Sequence, residues 1–216
     1  MDISAAVGAV LGAFGLSGAA GLNAWLPLLV VGVAARAGWI DLGSSYGWMS
    51  STPVLLGIAA LLVIDLVGDK VPVLDSALHA VGTVIAPTSG AILFTADTSL
   101  SSHLPPVVTA VIGAVVAGSV HAGRTVARPF VTGTTAGVGN PVVSTAEDGT
   151  ALVLTVLALA VPVVAFVAIL LLLFLLGWIA FRAQRWLRAR RRRRLEPGPR
   201  SGELPDTKRY TRRFTM

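Results

Sequence analysis

The sequence predicts an all-α integral membrane protein, a multi-pass helical bundle of about five to six spans with broken or re-entrant segments. Three observations predict it. Hydrophobic residues make up 54% of the chain and charged residues only 13%, against about 45–50% and about 25% in soluble domains, and the mean hydropathy is +0.78. Apolar stretches long enough to cross a bilayer recur along the chain. Charge is also segregated: residues 1–181 carry four basic and eight acidic side chains, whereas residues 182–216 carry thirteen basic and three acidic.

Element by element, the start Met1-Asp2-Ile3-Ser4 lacks a positive leader, so the first apolar segment, residues 3–20, is expected to be retained. Gly8, Gly12 and Gly15 give that segment small faces that let helices approach closely. Leu22 to Ala35 is a second span interrupted by Pro27 and closed by Arg36 and Gly38. The loop that follows carries Trp39, Tyr46 and Trp48, which suits either an interfacial aromatic belt or a loop packed on its own rings. Pro53 to Leu66 is the third span, and Ser76 to Ala96 is the fourth. Pro87, Ser89 and Gly90 predict a discontinuous or re-entrant fourth helix, since freed backbone groups at membrane depth need protein or water as partners.

A fifth span over Leu104 to Ala122 runs into Arg124, Arg128 and Pro129, and then into a Gly/Thr/Ser-rich stretch at Thr132–Thr145. Gly149 to Phe181 holds 33 residues without a charge. As one helix this segment would extend about 50 Å against a hydrocarbon core of about 30 Å, which predicts tilt, a kink at Pro162, or projection from the membrane. Three regions follow: a transmembrane domain over 1–181, a basic amphipathic helical extension over 182–196, and a disordered basic tail over 197–216. The echo of Ala20-Gly21 with Pro27 in Ala122-Gly123 with Pro129 raises an internal repeat, a common way to build a transporter.

The pI near 11.0 belongs to the tail rather than to the whole chain. A basic cluster directly after an apolar span fits the positive-inside bias and places the C-terminus in the cytoplasm. Membrane lipids are the expected partners, with anionic headgroups at the tail and a homo-oligomer or another membrane protein at the spans. Nucleic acid is not expected, because no recognition module accompanies the charge. With no cysteine, thiolate metal sites and disulfides are excluded. Nucleophile-elbow, zinc-peptidase and phosphate-loop motifs are absent, so the sequence predicts no enzyme, no catalytic residue, no metal and no cofactor.

Two polar clusters carry the candidate chemistry. The first joins Asp65, Asp69, Lys70, Asp75 and His79; Asp65/Asp69 and Asp75/His79 are each four apart and share a helix face, with Pro72 dividing the two segments. The second joins Arg124 and Arg128 to Asn140, Ser144, Thr145, Glu147 and Asp148, with Pro141 beside Asn140. Ionisable groups within spans mark proton relays, ion paths or solute paths. The competing reading makes the first cluster a solvated turn and the second the capped start of the last helix. On the functional reading of the second cluster, Asn140-Pro141 breaks the backbone beside a polar cavity with Arg124 and Arg128 facing Glu147 or Asp148, or the arginines instead grip a phosphate or carboxylate headgroup. Pro27, Pro72, Pro87, Pro129 and Pro141 are the expected helix breaks.

The run Ser17-Gly18, Ala20-Gly21-Leu22-Asn23-Ala24-Trp25-Leu26-Pro27, then Asp69-Lys70-Val71-Pro72 with Asp75-Ser76 and His79, then Gly139-Asn140-Pro141 with Glu147-Asp148 resembles a bacterial membrane family. That family is filed as a domain of unknown function, DUF4126, and the resemblance covers roughly residues 5–180. It implies a bacterial inner-membrane protein and brings no activity. Two functions follow from the residues: a small transporter or channel for an ion, a small solute or an anionic lipid, or a non-transporting scaffold that docks proteins or lipids through its Gly-rich spans and basic tail. A third, a lipid-acting membrane enzyme, has no motif behind it.

Overall fold

In a computed structural model, residues 3–68, 72–96, 104–136 and 138–195 are described. Among the described residues seven α-helices follow one another: α1 Ile3–Leu22, α2 Trp25–Arg36, α3 Thr52–Gly68, α4 Pro72–Thr95, α5 Pro106–Thr135, α6 Asn140–Ala160 and α7 Pro162–Leu195. A short 3-10 helix, Ser44–Ser50, precedes α3. Among the described residues four helices are long and apolar enough to cross a membrane, namely α1, α5, α6 and the Pro162–Arg182 part of α7. A fifth crossing results if the 3-10 helix and α3, bent by 62° at their junction, count as one span. The chain divides into two compact units, Met1–Ala180 and Phe181–Met216.

The first unit is built around α1. From Gly12 to Leu22 nearly every residue of this helix is buried, which only a helix enclosed by others can be. Its small residues make that enclosure possible. A Cβ at Gly15 would stand 2.8 Å from the Ala165 Cβ of α7 and 2.9 Å from the Ala158 Cβ of α6, so any larger residue would push those helices away. Phe14 fills the space beyond, edge-on to Phe94 of α4 at 5.1 Å and to Phe166 of α7 at 5.4 Å.

Helices α4 and α5 cross at a second small-residue contact, where a Cβ on Gly113 would collide with the Gly90 carbonyl oxygen. Buried hydroxyls bind this layer together. Ser17 of α1 donates to the Gly90 carbonyl at 3.0 Å, and Thr109 of α5 donates to Thr95 of α4 at 3.1 Å. Each supplies an interhelical hydrogen bond where lipid offers none. The outer faces carry Val, Leu and Phe: Val111 and Val115 on α5, Val153 and Val156 on α6, and Leu171 and Phe174 on α7 are all exposed. Such faces suit hydrocarbon rather than water.

Several expected breaks fall elsewhere. Pro87 lies inside the unbroken α4, and Pro129 inside the unbroken α5, which runs on through Arg124 and Arg128 to Thr135. Neither proline ends its helix, since neighbouring groups within a bundle can re-satisfy the backbone that proline frees. Pro27, Pro72 and Pro141 stand in the first turns of α2, α4 and α6, where a missing N–H leaves no intrahelical hydrogen bond unmade. The uncharged stretch that begins at Gly149 divides at Val161, immediately before Pro162, so its excess length is taken up by two helices. The second half of the sequence echo has no backbone break to match the one at Asn23, because α5 continues through it.

The aromatic loop separates its rings. Trp39 is exposed, whereas Tyr46 packs against the core and Met49 is fully buried. Arg36 reaches across the bend, donating to the Ser50 carbonyl at 3.3 Å and to the Thr52 hydroxyl at 2.7 Å. In the second unit, the Arg185 guanidinium lies over the Phe181 ring at 5.1 Å. The helix of the expected basic extension is described to Leu195, and the tail expected to be disordered, 197–216, lies outside the described residues.

Candidate functional site: a polar centre at the break after α1

Helix α1 ends at Leu22 and α2 begins at Trp25, so the backbone breaks at Asn23 and Ala24. The Asn23 side chain produces the restart. Its Oδ1 accepts the backbone N–H groups of Trp25 and Leu26, each at 3.0 Å, and so satisfies two of the donors that open α2. Its backbone N–H meanwhile completes α1 by donating to the Ala19 carbonyl at 3.0 Å. One residue therefore closes one helix and opens the next.

The other end of that side chain faces two acids. Asn23 Nδ2 donates to Asp65 Oδ2 at 3.1 Å and to Asp148 Oδ1 at 2.9 Å. Asp65 comes from α3 and Asp148 from α6, so a single amide joins three parts of the chain. Asn23 is only 2% exposed, and all its hydrogen-bonding capacity is used: two protons given and two accepted.

Beside this hub lies an ionic clasp. Arg124 and Arg128, one turn apart on α5, both meet Glu147 Oε2, at 2.8 Å and 3.2 Å. Arg124 also donates to the Leu22 carbonyl, one of the groups left over at the end of α1. A cation at a helix C-terminus is favoured by the helix dipole as well. All three side chains are largely buried, with 10–14% exposure. Because Leu22 and Asn23 are consecutive, the clasp and the hub form one polar centre.

A cavity of about 140 Å³ opens onto this centre, with Asn23, Trp25, Asp65, His121 and Arg124 on its wall. Leu61 and Ile64 of α3 and Val81 and Ile85 of α4 supply the apolar side. Gly82 lets α4 approach there, since a Cβ would stand 2.8 Å from the His121 ring.

The structure thus brings Asp65 of the first sequence cluster to Asp148 of the second, with Glu147, Arg124 and Arg128 adjoining. Glu147 and Asp148 lie well inside α6, which begins at Asn140, and so do not cap a helix. Ser144 is buried on the same helix one turn before Asp148. Asn140 is not at the centre; it accepts a hydrogen bond from Thr132 at 3.0 Å across the α5–α6 turn. Thr145 is exposed and donates to the Pro141 carbonyl at 2.8 Å. Asp69 and Lys70 lie outside the described residues, as do the side chains of Asp75 and His79 in the opening turns of α4. Asn23, the residue that joins the clusters, was absent from the sequence-based site. Its sequence signals are its place in the Ala20–Pro27 run that carries the family resemblance and its character as an uncharged polar residue four positions before a proline within an apolar run.

Comparison with known proteins adds one match. A family model described as a domain of unknown function (DUF4126) matches residues 10–182. No curated protein matches the chain, and no solved structure matches it.

Proposed function

Since the chain belongs to the DUF4126 family, whose description names no activity, we propose its function from the polar centre itself: a small membrane transporter or channel for an ion or small polar solute. The observation that carries this reading is the Asn23 hub. Two carboxylates from different helices meet on one amide, at a backbone break, beside a cavity. Intramembrane carboxylates are costly and are retained mainly where a path or a pocket uses them. Broken helices beside such groups are a recurrent way to build a transport site.

The scaffold alternative draws on the Gly-rich spans as docking faces. Gly12, Gly15, Gly18 and Gly21 of α1 are instead each in close contact with another part of the same chain. That face of α1 is used within the molecule, which leaves docking to glycines such as Gly8, Gly57 and Gly177 that have open space beside them. The bacterial cytoplasmic membrane, with the basic residues after 181 on the cytoplasmic side, is the location that fits the charge distribution.

Reconstituted vesicles test the proposal. The purified chain is expected to conduct protons, sodium or a small polar solute above the level of protein-free vesicles. Asp65→Asn and Asp148→Asn are expected to return the flux to that level. Flux indistinguishable between wild type and both variants for every solute tried would refute the reading.

A further inference from the structure

We infer that α1 and α2 form a re-entrant hairpin that enters the membrane from the outer side and ends inside it at Asn23, with the polar centre closed toward the outside and open toward the cytoplasm. Contacts fix the direction of each helix. α4 runs against α1, since Phe14 meets Phe94 and Ser17 meets Gly90. α6 does the same, with Gly12 beside Ala158 and Asn23 bonded to Asp148. α7 runs with α1, from Pro162 beside Gly12 to Ile169 beside Gly18. α5 also runs with α1, from Gly113 beside Gly90 to Arg124 at the Leu22 carbonyl. α2 turns back. Its last residue, Arg36, bonds to Ser50 and Thr52, and in the loop between them the Gly43 N–H donates to the Ala96 carbonyl just past the end of α4. From there α3 returns to the hub at Asp65.

The hairpin stops short of the far side. Beyond its tip, α5 continues from Arg124 to Thr135 and α6 reaches back from Asp148 to Asn140, about 12–16 Å of helix. Toward the near side, Trp25 to Arg36 and Asp148 to Ala160 span about 16–18 Å. Together these lengths match a hydrocarbon core of about 30 Å, which puts Asn23 near mid-depth. α3 to α7 then cross, and α1 with α2 does not.

Packing differs on the two sides of the centre. On the near side Leu16, Val31, Met49, Phe94, Ala117 and Ala158 are all buried, so the bundle is filled there. On the far side, among the described residues of 66–68, 78–85, 125–135 and 140–147, only Gly68 and Ser144 are buried. Charge names the sides. The near-side connections, 37–51 and 97–105, contain no Lys or Arg, and only Arg36 stands at their edge. Arg128 lies beyond the centre on the far side, and α7 passes Gly123 at Leu176 on its way there, with thirteen basic residues following position 181 in sequence. The positive-inside bias makes the far side cytoplasmic and the near side external.

The chain has no cysteine, so single cysteines test this directly in bacterial cells and in inverted vesicles carrying the full chain. Gly47 and Gly133 have open space beside them. Gly47→Cys is expected to react with a membrane-impermeant maleimide on intact cells, and Gly133→Cys only in inverted vesicles; the reverse pattern would overturn the orientation. Ala24→Cys, at the tip and on the cavity wall, is expected to react with a small charged methanethiosulfonate in inverted vesicles and not on intact cells. Reaction on intact cells, or none in either preparation, would overturn the access. A spin label at position 24 is expected to collide more with oxygen, and less with a nickel chelate, than labels at 47 and 133. A label at 24 as shallow as the one at 133 would mean that α1 and α2 cross completely, and would overturn the hairpin. Leu61→Cys, on the same wall, is expected to be equally deep and unreactive from outside, which covers a failure of Ala24→Cys to fold. None of these readouts requires flux, so a failed transport assay leaves the hairpin standing, and reversed labelling leaves transport standing.

Discussion

Glu147 and Asp148 are consecutive residues of α6, both partly buried, yet they belong to different kinds of interaction. Glu147 sits between two guanidinium groups, in a clasp whose opposite charges hold α5 against α6 and the end of α1. Asp148 shares a neutral amide with another carboxylate. Opposite charges at close range stabilise one another in a low dielectric, and removing either strands its partner. Two acids on one amide gain hydrogen bonds but no neutralisation from that amide. On the transport reading proposed above, the clasp is the part that holds helices together and the hub the part that a proton, cation or solute would reach.

This contrast orders the expected effects of substitution. Arg124→Ala should be the most damaging, at about 3–5 kcal/mol, because it deletes two charge-assisted hydrogen bonds, to Glu147 and to the Leu22 carbonyl, although Arg128 still pairs with Glu147; unfolding in mixed detergent micelles measures it. Asn23→Ala should cost about 2–4 kcal/mol by loss of the α2 cap and of the hydrogen bonds to two acids. Asn23→Asp keeps the acceptor for Trp25 and Leu26, deletes both donors and sets a third carboxylate against Asp65 and Asp148. If it is no less stable than Asn23→Ala, the retained cap offsets both the lost donors and the added charge.

Arg128→Ala leaves the Arg124–Glu147 pair in place and should cost about 1–2 kcal/mol, with vesicle flux per folded molecule unchanged. Asp148→Asn should shift unfolding least, by about 1 kcal/mol or less, and yet abolish flux. A reversal of these last two, with flux lost in Arg128→Ala and kept in Asp148→Asn, would exchange the roles assigned to clasp and hub.

Much of the centre was legible because charge is rare in this chain. Asp65, Arg124, Arg128, Glu147 and Asp148 stand out against apolar surroundings, and all five meet in the structure. Asn23 did not stand out: it is uncharged, and its partners lie 42 and 125 positions away. No local pattern encodes such a contact. Asn140 illustrates the converse, a polar residue near the cluster in sequence that turns to Thr132 eight positions away. Two of the five expected breaks, at Pro87 and Pro129, were misplaced for a related reason. Proline marks where a helix can be interrupted, but at Pro87 and Pro129 the helices continue. At Asn23 a side chain that can replace backbone partners allows the real interruption.

The orientation of the Asn23 amide is fixed, since its oxygen must face two backbone N–H groups and its nitrogen two carboxylates. An amide nitrogen has protons to share and no lone pair with which to receive one. Asn23 is therefore an insulator between two proton holders: it fixes Asp65 and Asp148 within reach of the same atom and forbids exchange through it. Any proton that passes from one acid to the other travels by water or by the acids themselves, so the wetness of the adjoining cavity would set the rate.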